Sequence, residues 1–130
     1  MLKRVVNVSR IVTGIIFLVF GINGFYTFIP VPEFHPFMEI LIESGYIYLV
    51  KIVEVLAGLL LLSNRLVPLA LLLLIADIVD ITAYHQLLDP RNGFVVPILL
   101  LLAAILLYGY RHYFRKLLTV KAEVHTGERN

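Results

Sequence analysis

Four ionisable residues interrupt two long apolar stretches: Lys51 and Glu54 within Gly45–Leu62, and Asp77 and Asp80 within Leu66–Leu88. Each stretch is long enough to cross a bilayer, where burying one ionised side chain costs roughly 2.5–3.5 kcal/mol even on lenient insertion scales. Charges kept at such depth pair with one another and mark a working site. Lys51 and Glu54 are i, i+3 neighbours, as are Asp77 and Asp80, and Tyr84 continues the second stripe at i+4. One lysine against three acids leaves a net charge of −2 if all are ionised. Desolvation and like-charge repulsion then favour protonating one or two of the acids. The chemistry that suits this set is proton exchange. The competing role is a static salt-bridge network that fixes helix register.

Depth along the spans places the partners. At about 1.5 Å of rise per residue, Lys51 lies roughly 7 Å inside the outer end of its span, and Glu54 and Asp80 roughly 12 Å. Asp77 comes to roughly 16 Å, His85 to roughly 4 Å, and Asn23 of the first span to roughly 9 Å. Glu54 and Asp80 are therefore expected to meet. Lys51, Glu54, Asp77 and Asp80 form the candidate proton-handling cluster, with Asn23, Tyr84 and His85 as candidate ligand-binding residues. His85 equally suits a hydrogen bond to the adjacent turn or to lipid headgroups. A metal on Glu54, Asp77, Asp80 and His85 is disfavoured by the neighbouring Lys51. His35, His112 and His125 show no partner and receive no chemistry.

These residues need helices to hold them. The chain has 130 residues, is 60% hydrophobic and has a mean hydropathy of +0.92, which defines a membrane protein with a single domain over 1–130. Four continuous apolar runs, Ile11–Ile29, Gly45–Leu62, Leu66–Leu88 and Gly93–Tyr110, have the length of spanning helices rather than of barrel strands. The expected fold is all-α: a polytopic, antiparallel bundle of four transmembrane helices with a cytoplasmic basic tail over 111–130. The short turns Ser63–Pro68 and Asp89–Gly93 make the last three spans antiparallel neighbours. Asn7 or Ser9 is positioned to cap the first helix, after a basic lead-in over 1–10. Gly14, Gly21 and Gly24 suit close packing of that helix on a neighbour. Phe25–Pro36 has the composition of an interfacial aromatic belt followed by an irregular link. Phe37–Ser44 is expected as a short amphipathic helix on the outer surface, ended by Gly45. Arg111–Lys121 is expected to continue the last helix onto the anionic inner surface.

Nine of the eleven basic residues fall on one side of this layout: Lys3, Arg4, Arg10, Arg65, Arg111, Arg115, Lys116, Lys121 and Arg129. The link between the first two spans carries Glu33, Glu39 and Glu43 and no basic residue. The positive-inside rule then puts both termini in the cytoplasm. The first span has a basic start but a long apolar region and no small-x-small site, so it is expected to be retained rather than cleaved. No cysteine is present, which excludes disulfides, thiolate-held iron–sulfur clusters and thiol nucleophiles. The lipid bilayer is the expected partner, and nucleic acid is not.

Four motifs in order carry a family likeness: Gly21-Ile-Asn-Gly-Phe-Tyr-Thr-Phe-Ile-Pro30, Lys51-x-x-Glu54-x-x-x-Gly58-Leu-Leu-Leu-Leu, Asn64-Arg-Leu-Val-Pro-Leu-Ala70 and His85-Gln-Leu-Leu-Asp-Pro90. Together the chain resembles the DoxX family of small bacterial membrane proteins, from about Arg10 to Tyr113. The resemblance implies four transmembrane helices in the bacterial inner membrane. Some relatives are linked to quinone-dependent sulfur oxidation, as the DoxD-like part of thiosulfate:quinone oxidoreductase. It therefore implies a quinone-associated redox subunit or accessory protein, with quinone as cofactor and an oxidoreductase partner or a second copy of the chain. The alternative is a non-enzymatic small proton-coupled transporter or a membrane assembly partner of an oxidoreductase, and whether the chain is itself an enzyme stays open. Asp80 stands where many relatives are expected to carry Asn, which adds a titratable group. The absence of cysteine argues against direct sulfur chemistry.

Overall fold

A buried stripe of Val6, Ser9, Arg10, Thr13, Gly14, Phe17 and Gly21 recurs at helical spacing, and it organises the first helix, α1, over Leu2–Phe25. This is a computed structural model, and it describes residues 1–26, 35–91, 93–125 and 127. The expected first span began at Ile11; the helix begins at Leu2. Lys3, Arg4 and Arg10 do not delay its start, because Val5, Val6 and Val8 between them sustain the apolar pattern. Asn7 and Ser9 lie inside α1, so neither caps it; Met1 holds that position without a side-chain bond. The far end of the expected span, through Ile29, lies outside the described residues, as do Glu33, Asn92 and Arg129.

The remaining elements are α2 (Pro36–Ser44), α3 (Tyr46–Ser63), α4 (Val67–Ala83) with a π turn over Tyr84–Leu88, α5 (Val95–Gly109), and α6 (Arg111–Phe114) with a 3-10 turn over Arg115–Leu118. No strand occurs among the described residues. Pro36 opens α2, where a missing N–H is harmless, and Gly45 closes it at φ +82°, a conformation that only glycine adopts freely. Pro68 sits in the first turn of α4. The α3–α4 turn is tight enough to put Asn64 and Leu66 at φ 56° and 49°.

α1 packs on α3 and α5, and α4 packs on the same two helices, closing a ring of four. α1 and α3 run antiparallel with their backbones almost touching. A Cβ on Gly58 would lie 2.8 Å from Leu18 N and 2.9 Å from Gly14 O. Small residues permit this approach, which is how helices associate where lipid removes the hydrophobic drive between them. Phe17, Leu61, Leu71, Leu74, Leu99 and Leu106 fill the centre.

Leu2–Phe25, Tyr46–Ser63 and Val67–Leu88 are each long and apolar enough to cross a membrane. α5 qualifies only together with Arg111–Leu118, which departs from it by 79°. The expected continuation of the last helix is therefore broken at Tyr110 (φ −107°, ψ 19°). Three helices, or four counting the bent pair, have the character of spans. Their outer faces display Ile15, Phe20, Leu49, Ile52, Leu72 and Leu101, an apolar surface suited to lipid.

Candidate functional site

Glu54 lies on the buried face of α3, in line with Ala57, Gly58 and Leu61, and is only 4% exposed. Lys51, one turn earlier, donates from Nζ to Glu54 Oε2 at 3.3 Å. Gly24 of α1 makes this possible. A Cβ there would overlap Cγ, Cδ and Cε of Lys51, so the glycine is the gap through which the lysine stem passes. From α4, Asp77 closes the group. It is buried beside Glu54, and its Oδ2 is enclosed without a hydrogen-bond partner.

Asp80 takes a different place from the one its depth implied. Glu54 is bonded to Lys51 and lies beside Asp77, while Asp80 is exposed. Each i, i+3 step on a helix falls roughly 60° short of a full turn. Asp77 already borders the buried stripe of α4, formed by Val67, Ala70, Leu71, Leu74 and Ile78, so Asp80 is carried out of it. It still faces the same space. Lys51, Glu54, Asp77, Asp80, Tyr84 and His85 all line one cavity of about 610 Å³ at the end of the bundle where α2 lies. Phe37, Met38 and Leu41 of α2 form part of its wall.

The π turn shapes the rim. Its wider bond, from Asp89 N to Tyr84 O at 2.9 Å, presents Tyr84 and His85 beside the cavity. Tyr84 donates its hydroxyl to Asp89 Oδ2 at 3.3 Å, and His85 Nδ1 donates to the Asp89 carbonyl at 3.1 Å. Asp89 is gripped in turn by Arg91, through Nε to Oδ1 at 2.9 Å and a terminal nitrogen to Oδ2 at 2.7 Å. The Arg91 hydrogen bonds hold the Asp89 carboxyl well below the usual carboxylate range. Arg91 is thus tied to the turn rather than to the acids inside.

Asn23 is half-buried on α1 and is not part of the cavity wall. Two residues without an assigned role have one. His35 caps α2, accepting from Phe37 N at 3.1 Å, and sets its ring edge-on to Tyr84 at 6.2 Å. Its position before Pro36 was the available signal. Arg10, counted among the flanking basic residues, is buried inside α1 and donates to the Leu61 carbonyl. Its Nε and the Thr13 hydroxyl are enclosed without partners. Among the described residues no three His, Cys, Asp or Glu side chains are arranged to hold a metal ion.

Fold and site describe an all-helical protein, three or four of whose helices are long and apolar enough to cross a membrane, with an acid-lined cavity at one end of its bundle. No protein-family model, curated protein or solved structure matches the chain.

Proposed function

We propose that the chain is a DoxX-like protein of the bacterial inner membrane, with four spans and both termini in the cytoplasm, that serves as a quinone-associated redox subunit or accessory protein. The supporting observation is the Lys51–Glu54–Asp77 group, with both acids buried and the lysine half-buried, beside a cavity of about 610 Å³. That volume falls within the roughly 300–1,000 Å³ of small-molecule sites. The site has the acids and the ammonium that a quinone's carbonyl oxygens require, between apolar walls. Bound there, a quinone supplies electron-accepting chemistry, with electrons drawn from a partner oxidoreductase because this chain has no thiol. The chain's own residues supply the rest. Lys51 orients an oxygen by donation, Glu54 and Asp77 hold and release protons, and Ile47, Val50 and Ile81 keep bulk water out.

Mass spectrometry of small molecules co-purifying in mild detergent tests this reading. A quinone is expected with the wild type and its loss with Glu54→Gln and with Asp77→Asn. No bound quinone, together with no change in a quinone's absorbance on mixing, would remove the redox reading. Topology is checked separately with single cysteines at Glu39 and Lys121, which should label from opposite sides of sealed cells.

The second reading, a small proton-coupled transporter, draws on one observation: three carboxyls and a single ammonium share the cavity.

A further inference from the structure

The end of the bundle opposite the acids holds a cavity of about 630 Å³ where three parts of the chain meet: the start of α1, the α3–α4 turn, and the break between α5 and α6. Its polar wall residues are Lys3, Asn7, Asn64, Tyr110 and Tyr113, each able to donate a hydrogen bond. Among the described residues, none of these side chains spends its donor on another protein group. No acid offsets them either. α1, the α3–α4 turn, α5, α6 and the 3-10 turn contain no Asp or Glu, yet besides the buried Arg10 they carry Lys3, Arg4, Arg65, Arg111, Arg115 and Lys116. The two helices that begin at this end, α1 and α4, have no acid in the first turn and no side-chain cap, so the positive ends of their dipoles add to the same field. A cavity of donors in a positive field is completed by an anion rich in acceptors.

A separate observation gives that anion a lipid tail. The 79° break turns Arg111–Leu118 off the axis of α5 and leaves Tyr113, Leu117 and Leu118 exposed beside Arg115 and Lys116. Exposed apolar side chains among basic ones, steeply angled to a span, are how an interfacial segment meets anionic headgroups. Tyr113 belongs both to this segment and to the cavity wall, so the cavity opens at headgroup level. Leu2 and Leu66, exposed at the same wall, offer apolar surface to acyl chains.

We propose that this cavity holds the phosphate of one anionic phospholipid, with Lys3, Asn7 and Asn64 as its donors and the acyl chains against Leu2 and Leu66. Phosphatidylcholine shares the phosphate but brings its own cation, for which the acid-free wall has no partner. The site therefore selects net negative charge.

The test is native mass spectrometry of the full-length protein in mild detergent with equimolar dioleoylphosphatidylglycerol and dioleoylphosphatidylcholine. One copy of phosphatidylglycerol should be retained with a preference of about tenfold. Lys3→Gln/Asn7→Ala should abolish that preference, and Arg115→Gln/Lys116→Gln, outside the wall, should keep it. No preference in the wild type, a preference that survives Lys3→Gln/Asn7→Ala, or one lost in Arg115→Gln/Lys116→Gln would each overturn the proposal. Displacement of the lipid by excess inorganic phosphate would overturn it too, by making the site one for the free ion. The proposal rests on the membrane reading. A chain that stays in solution without detergent would defeat both, whereas a chain that needs detergent but shows no lipid preference would defeat this site alone.

Discussion

At one end of the bundle, Lys51, Glu54 and Asp77 gather beside a cavity of about 610 Å³; at the other, a cavity of about 630 Å³ is lined by Lys3, Asn7, Asn64, Tyr110 and Tyr113 and, among the described residues, by no acid. Each end also takes a cationic side chain into the helix packing. Lys51 faces carboxylates, whereas Arg10 faces the Leu61 carbonyl. Leu61 O accepts from Asn64 N as well, so Arg10 adds to an already capped α3 terminus. An arginine donating to a backbone carbonyl is a fixed clamp, its planar fork holding one geometry. A lysine among carboxyls is the arrangement that the proposed proton handling needs. The same burial thus makes a tie at one end and the proposed site at the other.

The largest effect that would sharpen this contrast is at Lys51. Removing one member of a fully buried pair costs about 3–5 kcal/mol. The Lys51 side chain is 20% exposed, so Lys51→Met should lose somewhat less than that in detergent melting experiments. The double variant Lys51→Met/Glu54→Gln should recover part of the loss, since it no longer strands an acid. A single variant as stable as wild type would mean the pair is hydrated.

Gly58 is expected next. It serves both ends, since a Cβ there meets only backbone, Leu18 N and Gly14 O. Gly58→Ala should force α1 from α3 and cost about 1–3 kcal/mol. Unchanged melting would show that the helices are not in backbone contact. Arg10→Met should follow, within about 1 kcal/mol of wild type in either direction, because Leu61 O keeps its other donor and a buried charge is removed. A loss as large as that of Lys51→Met would erase the distinction between clamp and site.

The smallest effect belongs to Asp89. Its carboxyl is held below the ordinary range in the folded protein, so its contribution is complete above the unfolded value of about 4. The contribution declines as pH falls below that value toward the lowered folded one. The melting difference between wild type and Asp89→Asn should be constant from neutral pH to about pH 5 and shrink below about pH 4. A difference that grows on acidification would contradict the Arg91 grip.

Much of the scaffold was legible because lipid-facing helices write themselves as continuous apolar runs. α3 and α4 begin and end close to where Gly45, Asn64 and Pro68 place them. The pairing of Lys51 with Glu54 followed from their spacing alone. Other features were hidden by how sequence signals are averaged. Arg10 counted as a boundary because hydropathy sums all faces of a helix, while burial depends on one. Asp80 was preferred over Asp77 because depth ignores azimuth, and depth counted from Leu88 ignores the π turn. The break at Tyr110 has only Gly109 beside it as a signal, and the glycine's contact with Val6 of α1 is a tertiary fact.

The central claim is that the acid end, not the basic end, is the quinone site. Photolabelling in native membranes with an azido-quinone, followed by peptide mapping, tests it most directly. Saturable label should fall on Phe37–Lys51 and Ile81–Leu88, compete with unlabelled quinone and disappear in Asp77→Asn. Label confined to Leu2–Asn7 and Tyr110–Tyr113, or label that no competitor displaces, would contradict it.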